Sequence, residues 1–265
     1  ANAGIPVSVI ETAEDALKRG LSVMEKNYKT SVSRGALREE DVAKRMGLLN
    51  GTTDIAATKD ADLVIEAVFE DLEVKRTLWS SLDEVAPERA IFASNTSSIS
   101  IDALAEAVSP GRRGRFVGMH FFSPVPVMPL IELIRGRATT AETEAAVREV
   151  TEALGKKLIV SADRPGFIVN RILMPMLAEA MRILEEGSAT ADDIDTGAKV
   201  GLNHPMGPLE LADFIGLDVC LNVMQVLNEG IGEEHYPAPR ILVDLVAAGH
   251  LGQKTGRGFH AYPRD

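Results

Sequence analysis

At 265 residues the chain can form one large domain or two smaller ones around sizeable cores, and two are expected. The formal charge of -11, with no local basic stripe, argues against nucleic acid as a partner. A single cysteine, Cys220, rules out an internal disulfide framework and fits a reducing cytoplasm or organelle matrix, of which the cytoplasm is expected. No apolar run approaches the roughly 20 residues that cross a bilayer, so no membrane partner is expected.

In chain order, PVSVI (Pro6–Ile10) predicts a strand. Leu17, Leu21, Met24 and Tyr28 follow at helical spacing behind a Thr12 cap. The pattern recurs in DLVIEAVF (Asp62–Phe69) before a helix carrying Leu78, Leu82 and Val85, and in AIFAS (Ala90–Ser94) before SISIDALAEAV, capped by Ser100. Near-continuous apolar strands alternating with amphipathic helices describe one mostly parallel sheet covered on both faces. FVGMHFF and LIELIR are joined by a proline-rich link too short for a crossover helix, so these two strands run antiparallel. A capped helix from Thr140 to Leu154 and the strand KLIVSA close this half.

From Asp163 the texture changes. DRPGFIVNRILMPMLAEAMRILEEG predicts one long helix, kinked at Pro175 and stopped at Gly187, with shorter helices after it. The expected fold is therefore an α/β Rossmann-type domain over residues 1–163 and an all-α domain over 164–265. Apolar residues surround much of the long helix, which is expected to pack against the first domain and a second subunit, giving a homodimer.

Glu11 directly follows the first strand. In a doubly wound nucleotide fold an acid roughly 20 residues beyond a glycine-rich turn binds ribose hydroxyls and repels a 2′-phosphate, favouring NAD. On that reading the first strand and glycine-rich turn belong upstream of Ala1. The alternative is an ordinary acid at a helix N-terminus.

His120 ends a buried strand and Glu132 lies in the next. If the strands are neighbours, the carboxylate can bond one ring nitrogen, fix the tautomer and leave the other nitrogen as a base. The competing interpretation is a satisfied core histidine. SNTSS (Ser94–Ser98) lies at a strand's carboxyl end, where ligands of open α/β sheets bind, and is otherwise a polar turn. In FEDLEVK, Glu70 and Lys75 either face a cofactor or form a solvated helix start. Asn170 sits among apolar neighbours and needs a polar partner. No metal site emerges.

SNTSS, GMHFFSPVPVMPLIELI, PGFIVNR, HPMGPLELADFIGLD and GQKTGRGF occur in order, and together the chain resembles the L-3-hydroxyacyl-CoA dehydrogenase family from Ala1 to Tyr262. The resemblance implies NAD-dependent, reversible oxidation of (S)-3-hydroxyacyl-CoA to 3-oxoacyl-CoA in fatty-acid or butanoate-type metabolism, with the active site in a cleft between the domains. It implies His120 as the base, Glu132 as its support, and Ser97 and Asn170 as substrate contacts. Cofactor contacts are implied at Glu70, Lys75, Ser97 and Lys254, joining Glu11. The resemblance also implies that Ser123 lies near the nicotinamide, where family members usually carry asparagine.

Two alternatives stay open. One is an inactive or structural member of the lens-crystallin type, or a fragment without turnover, against which retention of His120, Glu132, Ser97 and Asn170 weighs. The other is a segment of a longer multifunctional protein.

Overall fold

β-Branched and apolar runs too short for helices form the strands, and the first two lie side by side. Val7–Ile10 (β1) leads into the helices Glu14–Ser33 (α1) and Glu39–Met46 (α2), and Leu49–Thr52 (β2) then returns parallel to β1. These elements come from a computed structural model that describes residues 1–232 and 237–263. The chain divides into two compact units, Ala1–Asp163 and Arg164–Asp265. No helix among the described residues is long and apolar enough to cross a membrane.

In the first unit Leu63–Glu66 (β3), Leu72–Val85 (α3), Ile91–Ser94 (β4), Ile101–Ala105 (α4), Phe116–Phe121 (β5), Leu130–Arg135 (β6), Ala141–Ala153 (α5) and Lys157–Ala162 (β7) follow. Strands β3 to β7 form a second sheet in sequential order, parallel throughout except for the antiparallel β5–β6 pair. The single sheet expected from sequence is thus corrected to two: β1 bonds only to β2, and β3 only to β4, among the described residues. The strand expected over Asp62–Phe69 is shorter because Glu66 turns its carboxylate back to accept from the Val68 amide at 2.8 Å. The Thr12 cap is also corrected, since α1 begins behind Ala13 with no side-chain cap. Ser100 and Thr140 do cap α4 and α5, accepting from Ala103 N and Thr143 N.

Strand alternation sorts the larger sheet into two faces. Ala93, Val117, Met119, Ile131 and Leu133 turn to one face and pack with Val147 of α5. The pairings Glu66–Ser94, Phe92–Phe116, Ser94–Gly118, Gly118–Ile134 and His120–Glu132 put these residues on the other. On that face Trp79 of α3 meets the Phe92 and Phe116 rings at centroid distances of 4.8 and 4.9 Å. Gly118 is required by close approach, because a Cβ there would lie 2.9 Å from both Ile101 Cδ1 and Ile134 Cβ.

The second unit contains Val169–Glu185 (α6), Ala191–Thr196 (α7), Pro208–Ile215 (α8), Leu217–Ile231 (α9) and Arg240–Ala247 (α10). The helix expected from Asp163 starts only at Val169. Pro165 and the left-handed backbone at Gly166 (φ 71°) and Phe167 (φ 52°) forbid an earlier start. Met174, Leu177, Met181, Leu209, Leu217, Cys220, Met224 and Leu242 form its buried core. Buried Asp195 accepts from the Leu209 and Glu210 amides at 2.8 and 3.1 Å, satisfying the start of α8 from a distance. Asp213 similarly holds the C-terminal tail through Phe259 N and His260 N, both at 2.9 Å.

Burial, with the nearby charges of Asp218 and Asp213, pushes the Cys220 thiol up to about 12. The native protein is therefore expected to resist a disulfide-exchange reagent at pH 8, with one thiol released on unfolding in denaturant. Absorbance of the released chromophore counts it.

Candidate active site

Antiparallel β5 and β6 place His120 directly opposite Glu132, which puts both side chains on the same face. His120 is 5% exposed and Glu132 fully buried, and His120 Nδ1 lies 2.8 Å from Glu132 Oε2. A carboxylate so deeply buried is stable only when bonded, and the imidazole meets that need while the acid fixes ring tautomer and orientation. His120 Nε2, on the ring's far side, lies 3.2 Å from Ser97 Oγ. The Phe122 ring stands 4.6 Å away between centroids.

Ser97 belongs to the segment after β4, and this segment is more than a polar turn. Glu70 Oε1 accepts from Thr96 Oγ1 at 2.5 Å, Ser97 N at 2.9 Å, Ser98 N at 3.1 Å and Ser98 Oγ at 3.0 Å. Burial pushes the Glu70 carboxyl up, but the Thr96 hydroxyl, the Lys75 charge, the Ser97 amide and the Ser98 hydroxyl outweigh it and hold the group below the usual carboxylate range. Because its folded value is depressed, its stabilising contribution is complete above the unfolded value and lost as pH falls through the folded one. Ser97 and Ser98 amides are thus expected to lose hydrogen-exchange protection on the acid side in the native protein, and not in Glu70→Gln, where no proton is gained.

The solvated helix start considered for Glu70 and Lys75 does not hold for Lys75. Its side chain is 1% exposed and its ammonium lies 2.5 Å from Glu66 Oε1, 3.3 Å from Glu70 Oε2 and 3.2 Å from Val68 O. Asp71 instead caps α3, accepting from Glu73 N and Val74 N. Glu66 was missed at the sequence level, although strand parity placed it, with Ser94 of the SNTSS stretch, on the face of His120. Asn95 of the same stretch is turned to structure instead; its Oδ1 accepts from Phe121 N at 2.8 Å and ties the segment to β5.

The remaining candidates stand on other segments of the chain. Glu11 is exposed at the carboxyl end of β1, and Ser123 is exposed in the loop after β5. In the second unit Asn170 occupies the first turn of α6, half-buried, while Lys254 lies 2.5 Å from Asp218 Oδ1.

A mostly parallel Rossmann-type unit followed by an all-α unit, with a histidine–glutamate pair beside a serine segment at a strand's carboxyl end, defines the class, a nucleotide-binding protein of α/β architecture. Residues 1–164 match the 3-hydroxyacyl-CoA dehydrogenase NAD-binding domain and residues 166–262 the C-terminal domain of the same enzymes. The chain is 47% identical to the 3-hydroxybutyryl-CoA dehydrogenase of Bradyrhizobium diazoefficiens, over 98% of this chain and 88% of that protein. It is 45% identical to a probable 3-hydroxybutyryl-CoA dehydrogenase of Deinococcus radiodurans, over 99% and 93%. The crystal structure of (S)-3-hydroxybutyryl-CoA dehydrogenase from Ralstonia eutropha superimposes with a TM-score of 0.95 at 43% identity, covering 99% of this chain and 92% of that one.

The chain belongs to the 3-hydroxyacyl-CoA dehydrogenase family, an NAD-dependent oxidoreductase acting on 3-hydroxyacyl-CoA. NAD is its cofactor. The residues present fit that group: an exposed carboxylate follows β1 at Glu11, and hydroxyls and a carboxylate gather beyond β3 and β4, a donor and acceptor set suited to ribose and carboxamide.

Proposed function

We propose that His120 is the base and acid of a reversible oxidation of (S)-3-hydroxyacyl-CoA to 3-oxoacyl-CoA, with Glu132 as its support. The His120–Glu132 cross-strand pair, with Ser97 Oγ 3.2 Å from the opposite ring nitrogen, is the observation that carries this reading. NAD, when bound, would supply the two-electron acceptor for the hydride of C3. The hydroxyl proton passes to His120 Nε2 as the C3–O bond becomes a carbonyl. Glu132 offsets the charge gained by the ring, so the same imidazolium returns the proton to the alkoxide in reduction. On the family resemblance, Ser97 and Asn170 are assigned to contact with the reacting substrate.

Glu70, Lys75, Ser97, Ser123 and Lys254 are assigned to cofactor contact on the family resemblance, and Glu11 on its place directly after β1. Glu11 supplies a carboxylate for ribose hydroxyls, and charged hydrogen bonds of this kind contribute about 1.5–3 kcal/mol. Glu11→Ala is therefore expected to raise the Kd for NAD by about tenfold or more, read by fluorescence titration. We assign a cytoplasmic location, and homodimerisation through the second unit, to which exposed apolar residues such as Ile172, Val200 and Leu202 lend support.

The test is direct. Adding (S)-3-hydroxybutyryl-CoA to protein and NAD should produce absorbance at the reduced-nicotinamide band, and acetoacetyl-CoA with NADH should consume it. No turnover in either direction, with intact protein that binds NAD, would favour the non-catalytic alternative.

A further inference from the structure

Glu66 ends β3 and is 3% exposed. Its pairing opposite Ser94 places it on the sheet face that carries His120 and Glu132. Both carboxylate oxygens are occupied: Oε1 accepts from Lys75 Nζ at 2.5 Å and Val68 N at 2.8 Å, and Oε2 from Ser94 Oγ at 2.7 Å. A buried lysine–glutamate pair is a costly way to fill space, since apolar side chains of similar volume do so without desolvating two charges. That cost calls for a role other than packing.

The bonds run onward without a gap. An ammonium has three protons, and Lys75 has three oxygens around it: Glu66 Oε1, Val68 O and Glu70 Oε2. The lysine holds Glu70 by Oε2 and leaves Oε1 to gather Thr96, Ser97 and Ser98. Ser97 in turn reaches His120 Nε2. We propose that Glu66 is a positioning residue for the reaction: acting through Lys75 and Glu70, it holds the Thr96–Ser98 segment that presents Ser97 to His120. The proposal rests on the roles given to His120 and Ser97 above.

Without the charge on Glu66, Lys75 keeps a single carboxylate partner, Glu70, and draws that group toward itself and away from the serine amides. Misplacement of about 1 Å at a reacting centre costs on the order of 10²-fold in rate. Glu66→Gln preserves shape and removes the charge. It is expected to lower kcat by about 10–10²-fold while the KM for acyl-CoA changes about twofold at most. In NMR spectra of the protein alone, the Ser97 and Ser98 amides and the His120 imidazole nitrogens should move together. Glu66→Asp, which keeps the charge with a shorter reach, should recover part of both effects.

An unchanged kcat beside a lowered melting temperature would make Glu66 a packing residue and overturn the proposal. So would a raised Kd for NAD with kcat intact at saturating NAD. Should Glu66→Gln fail to fold, Ser94→Ala removes only the Oε2 bond and should show the same pattern at smaller size; unmoved amides there count against the proposal. If the native protein turns over no 3-hydroxyacyl-CoA, the proposed function fails, while the amide and imidazole signals still decide whether Glu66 positions the segment.

Discussion

Replacing His120 by glutamine is expected to lower kcat for 3-hydroxybutyryl-CoA oxidation by about 10²–10⁴, the usual worth of a positioned general base. The change in KM should be small, because in the proposed role the ring acts on a proton that moves only as the transition state forms. Glu132→Gln should fall in the same range for a different reason. Glutamine can still accept from Nδ1, but it brings no charge to offset the imidazolium in a site where the acid is fully buried. The two losses should not add in the double variant, since the residues act as one unit. Steady-state and single-turnover rates measure both, and native-like rates in either variant would remove the pair from the mechanism.

Trp79→Ala is expected to destabilise the first unit by about 3–5 kcal/mol, the range for deleting a large aromatic from a close-packed core. Trp79 is fully buried between the Phe92 and Phe116 rings and joins α3 to the sheet face that bears the site. Trp79→Phe should cost much less. It keeps most of the apolar volume and removes an indole N–H that is buried without a hydrogen-bond partner. Denaturant midpoints followed by far-UV circular dichroism provide the measurement, because Trp79 is the one tryptophan of the chain. A midpoint unchanged in Trp79→Ala would mean that this cluster does not carry the unit's stability.

Several features of the site follow from local pattern alone. The proline-rich link between FVGMHFF and LIELIR is too short to cross over, so antiparallel pairing was legible, and with it the meeting of His120 and Glu132. The caps at Ser100 and Thr140 are equally local, each a hydroxyl three residues before the amide it bonds. The strand LNGT escaped detection because four residues containing Asn and Gly carry no periodic signal; pairing with β1 makes it a strand. The late start of α6 was hidden for another reason, as its apolar spacing runs through Phe167 while the backbone there is left-handed.

By itself, then, the order of residues determined the alternation of strands and helices, the change of texture after Asp163, and a histidine and an acid on adjacent strands, because these depend on periodicity and link length. Tertiary structure alone decided that Lys75 is buried rather than solvated, that Glu66 and Ser94 share its pocket, and that Glu70 gathers the serine segment beside His120. Those bonds join residues up to 28 positions apart. Which of many similar polar side chains becomes desolvated and paired is set by how the sheet and helices close around them, and no local pattern encodes it.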